Sequence, residues 1–274
     1  MAPRLSLANP LVTADQLETT PSGRDGVDPA LEQQLRCTGC DLIQAAGILL
    51  GLPQVAMATA QVLVQRFYYV SSFTKFALRD TIMGALFLAC KIEESPRKVK
   101  DIINVFDYVI KKKQDLPIIP LESFSPLFYD MKNGLTVAEL QILKRLAFNV
   151  QVQLPYALLV NYLQCLGLTQ HPRIPQMSWN YLNDGLRTNI YVSYQPPIIA
   201  CAALFLAARQ CQVKLPDQPP WWTVFDSDLR DLVNIAGHIL SLYHTQPPPD
   251  IPLTLPELEE YQSEILKAHP PGAI

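Results

Sequence analysis

The chain has 274 residues, enough for two domains of ordinary size that each bury an apolar core. Apolar residues make up 49% and charged residues only 17%, against roughly 25% charged in an average soluble domain, so the surface carries little charge and suits cover by a partner. A formal net charge of −3 argues against phosphate backbones as the main ligand, and no apolar run reaches the ~20 residues of a membrane span, so neither nucleic acid nor a bilayer is an expected partner.

Residues 1–27, with Pro3, Pro10, Pro21, Gly23 and Gly26, lack periodicity and read as a flexible N-terminal arm or wrapping lead-in; Met1 to Asn9 has no signal-peptide pattern. Asp28 then caps a first helix whose opening residue is Pro29, with Leu35, Leu42, Ala46 and Leu49 at helical spacing until Gly51. A second helix follows Pro53, with Val55, Ala58, Val62 and Leu63 on one side and Phe67, Tyr68 and Tyr69 at its end. A third runs from about Arg79 to Lys91; its stretch Ile82 to Cys90 is apolar on every face, which suits a helix surrounded by others. Ser95 and Pro96 start a fourth, with the stripe Val99, Ile102, Ile103, Phe106, Val109 and Ile110 and a solvated end at Lys111, Lys112 and Lys113. Thr136 and Glu139 read as a capping box that opens a fifth helix using Leu140, Leu143, Leu146 and Ala147.

The second half repeats this plan. Ala85-Leu86-Phe87-Leu88-Ala89-Cys90-Lys91 returns as Ala203-Leu204-Phe205-Leu206-Ala207-Ala208-Arg209, a constant offset of 118 residues. One such segment would mean a buried helix; its recurrence at domain-sized spacing indicates a duplicated bundle. Pro155 to Leu166, Ser178 to Tyr191, Pro197 to Cys211 and Asp228 to Tyr243 supply the second copy, and a Pro-rich tail from Pro247 to Pro256 ends it. The fold class is therefore all-α: two tandem helical bundles over residues 28–152 and 153–245, between the arm 1–27 and the tail 246–274.

No enzyme signature is present: no Gly-rich phosphate loop, nucleophile elbow, zinc helix or acidic metal loop. His171, His238, His244 and His269 are scattered, and His238 and His244, read on one helix, point to different faces. Of Cys37, Cys40, Cys90, Cys165, Cys201 and Cys211, only the first two have ligand-like spacing; they read as reduced core thiols of an intracellular protein. Neither metal nor cofactor is expected, and the chain reads as a binding protein rather than an enzyme. Charge instead follows directly on the most buried helix, at Lys91, Glu93 and Glu94. Lys91 as donor and Glu139 as acceptor, at the rim of a groove between helices three and five, could hold the carbonyls and amides of a partner backbone. The bland alternative is an ordinary polar helix end and a completed capping box.

Leu35 to Val109, with Arg36, Leu42-Ile43-Gln44, Arg66-Phe67-Tyr68, Leu86-Phe87-Leu88-Ala89 and Lys91-Ile92-Glu93-Glu94, resembles the first cyclin box of the transcriptional cyclins. Ser178-Trp179-Asn180-Tyr181-Leu182-Asn183-Asp184, Leu186-Arg187-Thr188 and Ile199-Ala200-Cys201-Ala202 look like the L-type cyclins, and the likeness covers roughly residues 28–245. The resemblance implies two tandem five-helix cyclin-box bundles and a non-catalytic activating subunit that forms a heterodimer with a cyclin-dependent kinase of the PITSLRE group, acting in the nucleus in RNA polymerase II transcription and pre-mRNA splicing. It implies that Lys91 and Glu139 anchor the kinase, with Leu88, Ile92, Leu143 and Phe148 as apolar contacts. The alternatives are a K-, T- or C-type cyclin with another kinase, or a cyclin-fold general transcription factor or pocket-protein scaffold. The chain departs from the cell-cycle cyclins in two places: Leu42 replaces the tryptophan of their substrate-docking patch, and Gln65 replaces the aspartate that pairs with the helix-one arginine, so Arg36 must find other acceptors. The arginine-serine-rich C-terminal region of vertebrate L-type cyclins does not occur before Ile274.

Overall fold

The computed structural model describes residues 8–244 and 251–268, so Pro247 to Asp250 of the Pro-rich tail lie outside the described residues. The described residues are helical, with no β-strand, in two compact units. One holds 13–150 with the C-terminal segment 251–268, and the other holds 8–12 with 151–244.

The first unit opens with two short helices, α1 (Ala14–Glu18) and α2 (Pro21–Arg24), capped by Thr13 and Thr20. Five longer helices follow: α3 (Pro29–Leu49), α4 (Gln54–Tyr68), α5 (Leu78–Ile92), α6 (Val99–Lys113) and α7 (Pro126–Arg145). Asp28 caps α3 as expected, accepting from the amides of Ala30 and Leu31. Gly51 ends it at φ 62°, a left-handed value that costs glycine little, and lets the Leu52 amide reach the Gly47 carbonyl at 2.9 Å. Helix α5 packs on all four of the other long helices, which explains why it is apolar on every side. Helix α4 is buried nearly as completely, from Ala56 to Tyr68, whereas Val55 and Leu49, both assigned above to apolar stripes, are exposed.

Two local expectations give way here. Ser95 does not cap α6, which begins at Val99; Arg97 in the intervening segment donates to the carbonyls of Leu50 and Gly51. Helix α7 starts eleven residues earlier than the Thr136 reading, capped by Ser125 with Pro126 in the first turn. Thr136 sits mid-helix and donates its hydroxyl to the Lys132 carbonyl, the usual fate of a threonine inside a helix. The buried stripe of α7 is consequently Phe128, Met131, Leu135, Ala138 and Ile142, and Leu140 is turned outward.

The second unit contains α8 (Tyr156–Cys165), α9 (Ile174–Gly185), the one-turn α10 (Ile190–Ser193), α11 (Pro196–Gln210), a 3₁₀ turn (Trp221–Phe225) and α12 (Leu229–Ser241). The single helix expected over 178–191 is broken after Gly185, where the Thr188 hydroxyl takes the Gly185 carbonyl and turns the chain into α10. His244 falls beyond the end of α12 rather than on one helix with His238. Helix α11 is the counterpart of α5: it packs on α8, α9, α10 and α12, and every residue from Ile199 to Ala208 is buried. The Asn9 side chain exchanges hydrogen bonds with the Gln153 backbone, and the Asn9 backbone with the Gln195 side chain, tying the N-terminal segment to this unit. The last helix, α13 (Leu255–Ala268), belongs to the first unit, where the Arg79 amide donates to the Leu253 carbonyl at 2.9 Å.

Candidate functional site

The candidate site lies where α5 and α7 cross. A methyl group on Gly84 would stand 2.8 Å from the Glu139 backbone nitrogen and 2.9 Å from the Ala138 Cβ, so the two helices approach this closely only because residue 84 is glycine. About two turns further along α5, the approach lets the Lys91 ammonium reach Glu139, with Nζ to Oε1 at 2.6 Å. The same ammonium stands 4.0 Å from the centroid of the Phe87 ring. The Lys91 side chain is about half exposed, at 48%, and that of Glu139 is largely covered, at 15%. An ion pair so open to water contributes no more than about 1 kcal/mol to folding. Its polar capacity is not exhausted, because the ammonium has two further protons and the carboxylate a second oxygen to offer.

The four apolar residues assigned to this corner are placed unequally. Leu88 is buried in the bundle, and Ile92 and Leu143 are half-buried. Phe148 is 67% exposed beyond the end of α7. It is held there by a Schellman-type ending: its amide donates to the Leu143 carbonyl at 2.8 Å, and that of Ala147 to Lys144 at 3.2 Å. No glycine serves this turn. Ala147 and Phe148 both take positive φ, 49° and 60°, a strain of order 1 kcal/mol or more each that fixes the exposed ring in place. Val137 and Leu140 add two further exposed apolar side chains on α7, one on each side of Glu139 in sequence. Sequence reasoning missed three contributors to the corner: Gly84, Val137 and the ring of Phe87. The signal for Gly84 was legible, an isolated glycine inside an otherwise large-residue apolar helix.

Glu93 turns back into the bundle and accepts from the Thr59 hydroxyl at 2.7 Å, so it does not share the exposed corner. Arg36, deprived of an aspartate by Gln65, is met by Glu32 instead, with Nη2 to Oε1 at 2.5 Å. It also donates to the Gln65 side chain and to the backbone carbonyls of Gln65 and Tyr68. Its guanidinium lies 4.2 Å from the centroid of Tyr69. Arg36 and Glu32 are both buried, so this network is structural. Lys111 and Lys113 are also engaged, with Asp107 and Thr38 respectively. Leu42 is 2% exposed and offers no surface comparable to the tryptophan it replaces.

Comparison with known proteins follows the same lines. Residues 12–151 match the family model of the cyclin N-terminal domain. The chain is 45% identical over 242 residues to Cyclin-L1 of Gallus gallus, an alignment covering 87% of this chain and 45% of that protein. It is 41% identical over 267 residues to Cyclin-L1 of Homo sapiens, covering 96% of this chain and 50% of that protein. It thus spans about half the length of the curated relatives it matches, and the L-type resemblance read from the sequence is borne out. Among solved structures, it is similar to a chain of the yeast RNA Pol II CTD kinase CTDK-1 complex, with TM-score 0.70, 16% identity and coverage of 94% of this chain and 84% of that one. It is also similar to a chain of the CAK complex of Chaetomium thermophilum bound to ATP-gamma-S, with TM-score 0.59, 19% identity and coverage of 90% and 82%. Those two likenesses show a shared fold of tandem helical bundles. With its N-terminal half matched by the family model and most of its length aligned to L-type members, the chain belongs to the cyclin family.

Proposed function

We propose that this chain is the non-catalytic activating subunit of a cyclin-dependent serine/threonine kinase of the PITSLRE group, acting in the nucleus in RNA polymerase II transcription and pre-mRNA processing. The observation that carries the proposal is the half-exposed Lys91–Glu139 pair, 2.6 Å apart and set among the exposed apolar side chains of Val137, Leu140 and Phe148. A charged clasp with unused donors and acceptors, bordered by apolar surface, fits a protein backbone that must be both oriented and desolvated. The L-type relatives and the kinase complexes among the structural neighbours support the class of partner.

In this reading α5 and α7 seat the regulatory helix of the kinase small lobe. That helix carries the glutamate that pairs with the ATP-binding lysine, and holding it inward shifts a two-state equilibrium toward the active arrangement. The cyclin supplies binding free energy that differs between the two kinase states and performs no chemical step. Leu88, Ile92 and Leu143 serve as the floor of the seat and Phe148 as its projecting edge.

The test is calorimetry of the full chain with purified kinase. Lys91→Ala and Glu139→Ala are each expected to weaken binding by about 2 to 5 kcal/mol, because truncation strands a hydrogen-bonded group in the interface. Melting temperatures should stay within about 2 °C of wild type, since an open ion pair contributes little to folding. Binding within twofold of wild type for both variants would remove the anchoring role. Recovery of a K-, T- or C-type cyclin's kinase in place of a PITSLRE kinase, on affinity purification from the native cell, would redirect the partner assignment.

A further inference from the structure

The L-type motif that begins at Ser178 is only partly consumed by packing. Ser178, Leu182 and Gly185 face the core of the second unit, whereas Asn180, the hydroxyl of Tyr181 and the carboxylate of Asp184 line an open cleft of about 400 Å³. Met177, Gln210 from the end of α11, and Tyr243 from beyond α12 complete the wall. We propose that this cleft is a binding site for an arginine side chain presented by a basic peptide segment of a partner protein. The inference does not depend on the kinase reading.

The chemistry of the wall selects a cation with several donors. Both tyrosine hydroxyls spend their protons inside it: Tyr243 donates to Asp184 Oδ2 at 2.6 Å, and Tyr181 donates to Gln210 Oε1. Each phenolic oxygen therefore keeps only lone pairs for a ligand. Asp184 is the single charged group in the lining; Arg187 forms an ion pair with it at 3.8 Å from Oδ1, which offsets part of its charge but lies beyond hydrogen-bond distance. The carboxylate thus keeps acceptor capacity facing the cleft. The negative field is felt by both tyrosines: burial, and then the bond to and charge of Asp184, push the Tyr243 hydroxyl up, and burial, then the charge of Asp184, do the same to Tyr181. A carboxylate flanked by two phenolic oxygens matches the planar, multi-donor guanidinium better than the point charge of a lysine. The thioether of Met177, fixed 3.4 Å from the Cys211 sulfur, gives the aliphatic stem an apolar contact. The cleft is also more than a by-product of packing: Gln210 occupies the helix-end position that Ile92 holds in the first bundle, so an apolar residue there has a precedent in this same chain.

The experiment follows the ¹³C-methyl signal of Met177, identified with Met177→Leu, during titration of the full chain with the blocked tripeptide Gly-Arg-Gly and its lysine and citrulline counterparts. The arginine peptide is expected to shift the Met177 signal to saturation. Lysine should bind about fivefold more weakly, and citrulline, which keeps the shape without the charge, at least about tenfold more weakly. Asp184→Asn still accepts the Tyr243 hydroxyl, so it should keep the fold while losing about tenfold in affinity, roughly 1.4 kcal/mol. Tyr243→Phe should lose about threefold, with the circular dichroism of both variants unchanged. A citrulline peptide that binds as well as arginine, an unaffected Asp184→Asn, or a Met177 signal that does not move would each overturn the proposal.

Discussion

Helices α5 and α11 occupy the same 15 positions at an offset of 118 residues, from Leu78 to Ile92 and from Pro196 to Gln210. They also end alike. Glu94 and Gln212 turn left-handed at φ 50° and 57°, and Ser95 and Val213 then bond back to Cys90 and Ala208, both at 2.9 Å. Each lays its terminal cation on a phenylalanine one turn earlier, Lys91 on Phe87 at 4.0 Å and Arg209 on Phe205 at 4.8 Å. Their centres, Ala85 to Ala89 and Ala203 to Ala207, are identical, and three of the differences bear on what each rim does: Gly84 against Ala202, Lys91 against Arg209, Ile92 against Gln210. In the first bundle the glycine draws α7 close enough for Glu139 to pair with the lysine. In the second, no ion pair to Arg209 occurs among the described residues, and the next residue closes a polar cleft. Burial keeps both axles apolar and their five-residue centres identical, while their rims, which contribute little to folding, carry different chemistry.

The equivalence of the cores is broken most directly by Ala203→Asp. Residue 203 is fully buried, and a carboxylate there has no acceptor-satisfying neighbour, so the expected loss is about 4 kcal/mol or more and the second bundle should unfold. A scanning-calorimetry trace indistinguishable from wild type would contradict the axle assignment. Next in size is Glu32→Ala, which removes the counter-charge of the buried Arg36 guanidinium and leaves it only the neutral acceptors of Gln65 and Tyr68, and should cost about 3 kcal/mol in chemical denaturation. The exchange Gly84→Ala and Ala202→Gly separates the two bundles more finely. The added methyl at 84 meets α7 backbone, so it should cost about 1 to 3 kcal/mol and, by moving Glu139, weaken kinase binding. The methyl removed at 202 should cost about 1 kcal/mol of stability and leave kinase affinity unchanged.

The axles, the caps at Asp28 and Gly51 and the duplication were legible in the sequence because they rest on short-range periodicity and on residues with single conformational uses. The boundary of α7 was not. Thr136 and Glu139 have capping-box spacing, but Ser125 with Pro126 is an earlier start, and spacing alone cannot choose between two caps on one helix. That shift of eleven residues also moved Leu140 from the presumed core to the surface, since the buried stripe is set by where α7 meets α5. The break after Gly185 was hidden for a similar reason, because Leu186 and Ile190 continue the apolar pattern on either side of it. Lys91 and Glu139 were named correctly as neighbours, although their closeness depends on Gly84, whose meaning appears only once both helices are in place.

The mildest substitution offers the sharpest contrast between the rims. Arg209→Lys keeps the charge and the stem over Phe205 and removes no ion pair recorded among the described residues, so stability should change by less than about 0.5 kcal/mol. Lys91→Arg is equally conservative for the fold, but it replaces a compact ammonium seated 2.6 Å from Glu139 with a longer planar group whose donors point elsewhere. Its effect should therefore appear in kinase binding, as a loss of about tenfold, with an unchanged melting temperature. Equal behaviour of the two variants in both measurements would mean that the first corner, like the second, does not use its cation to hold a kinase.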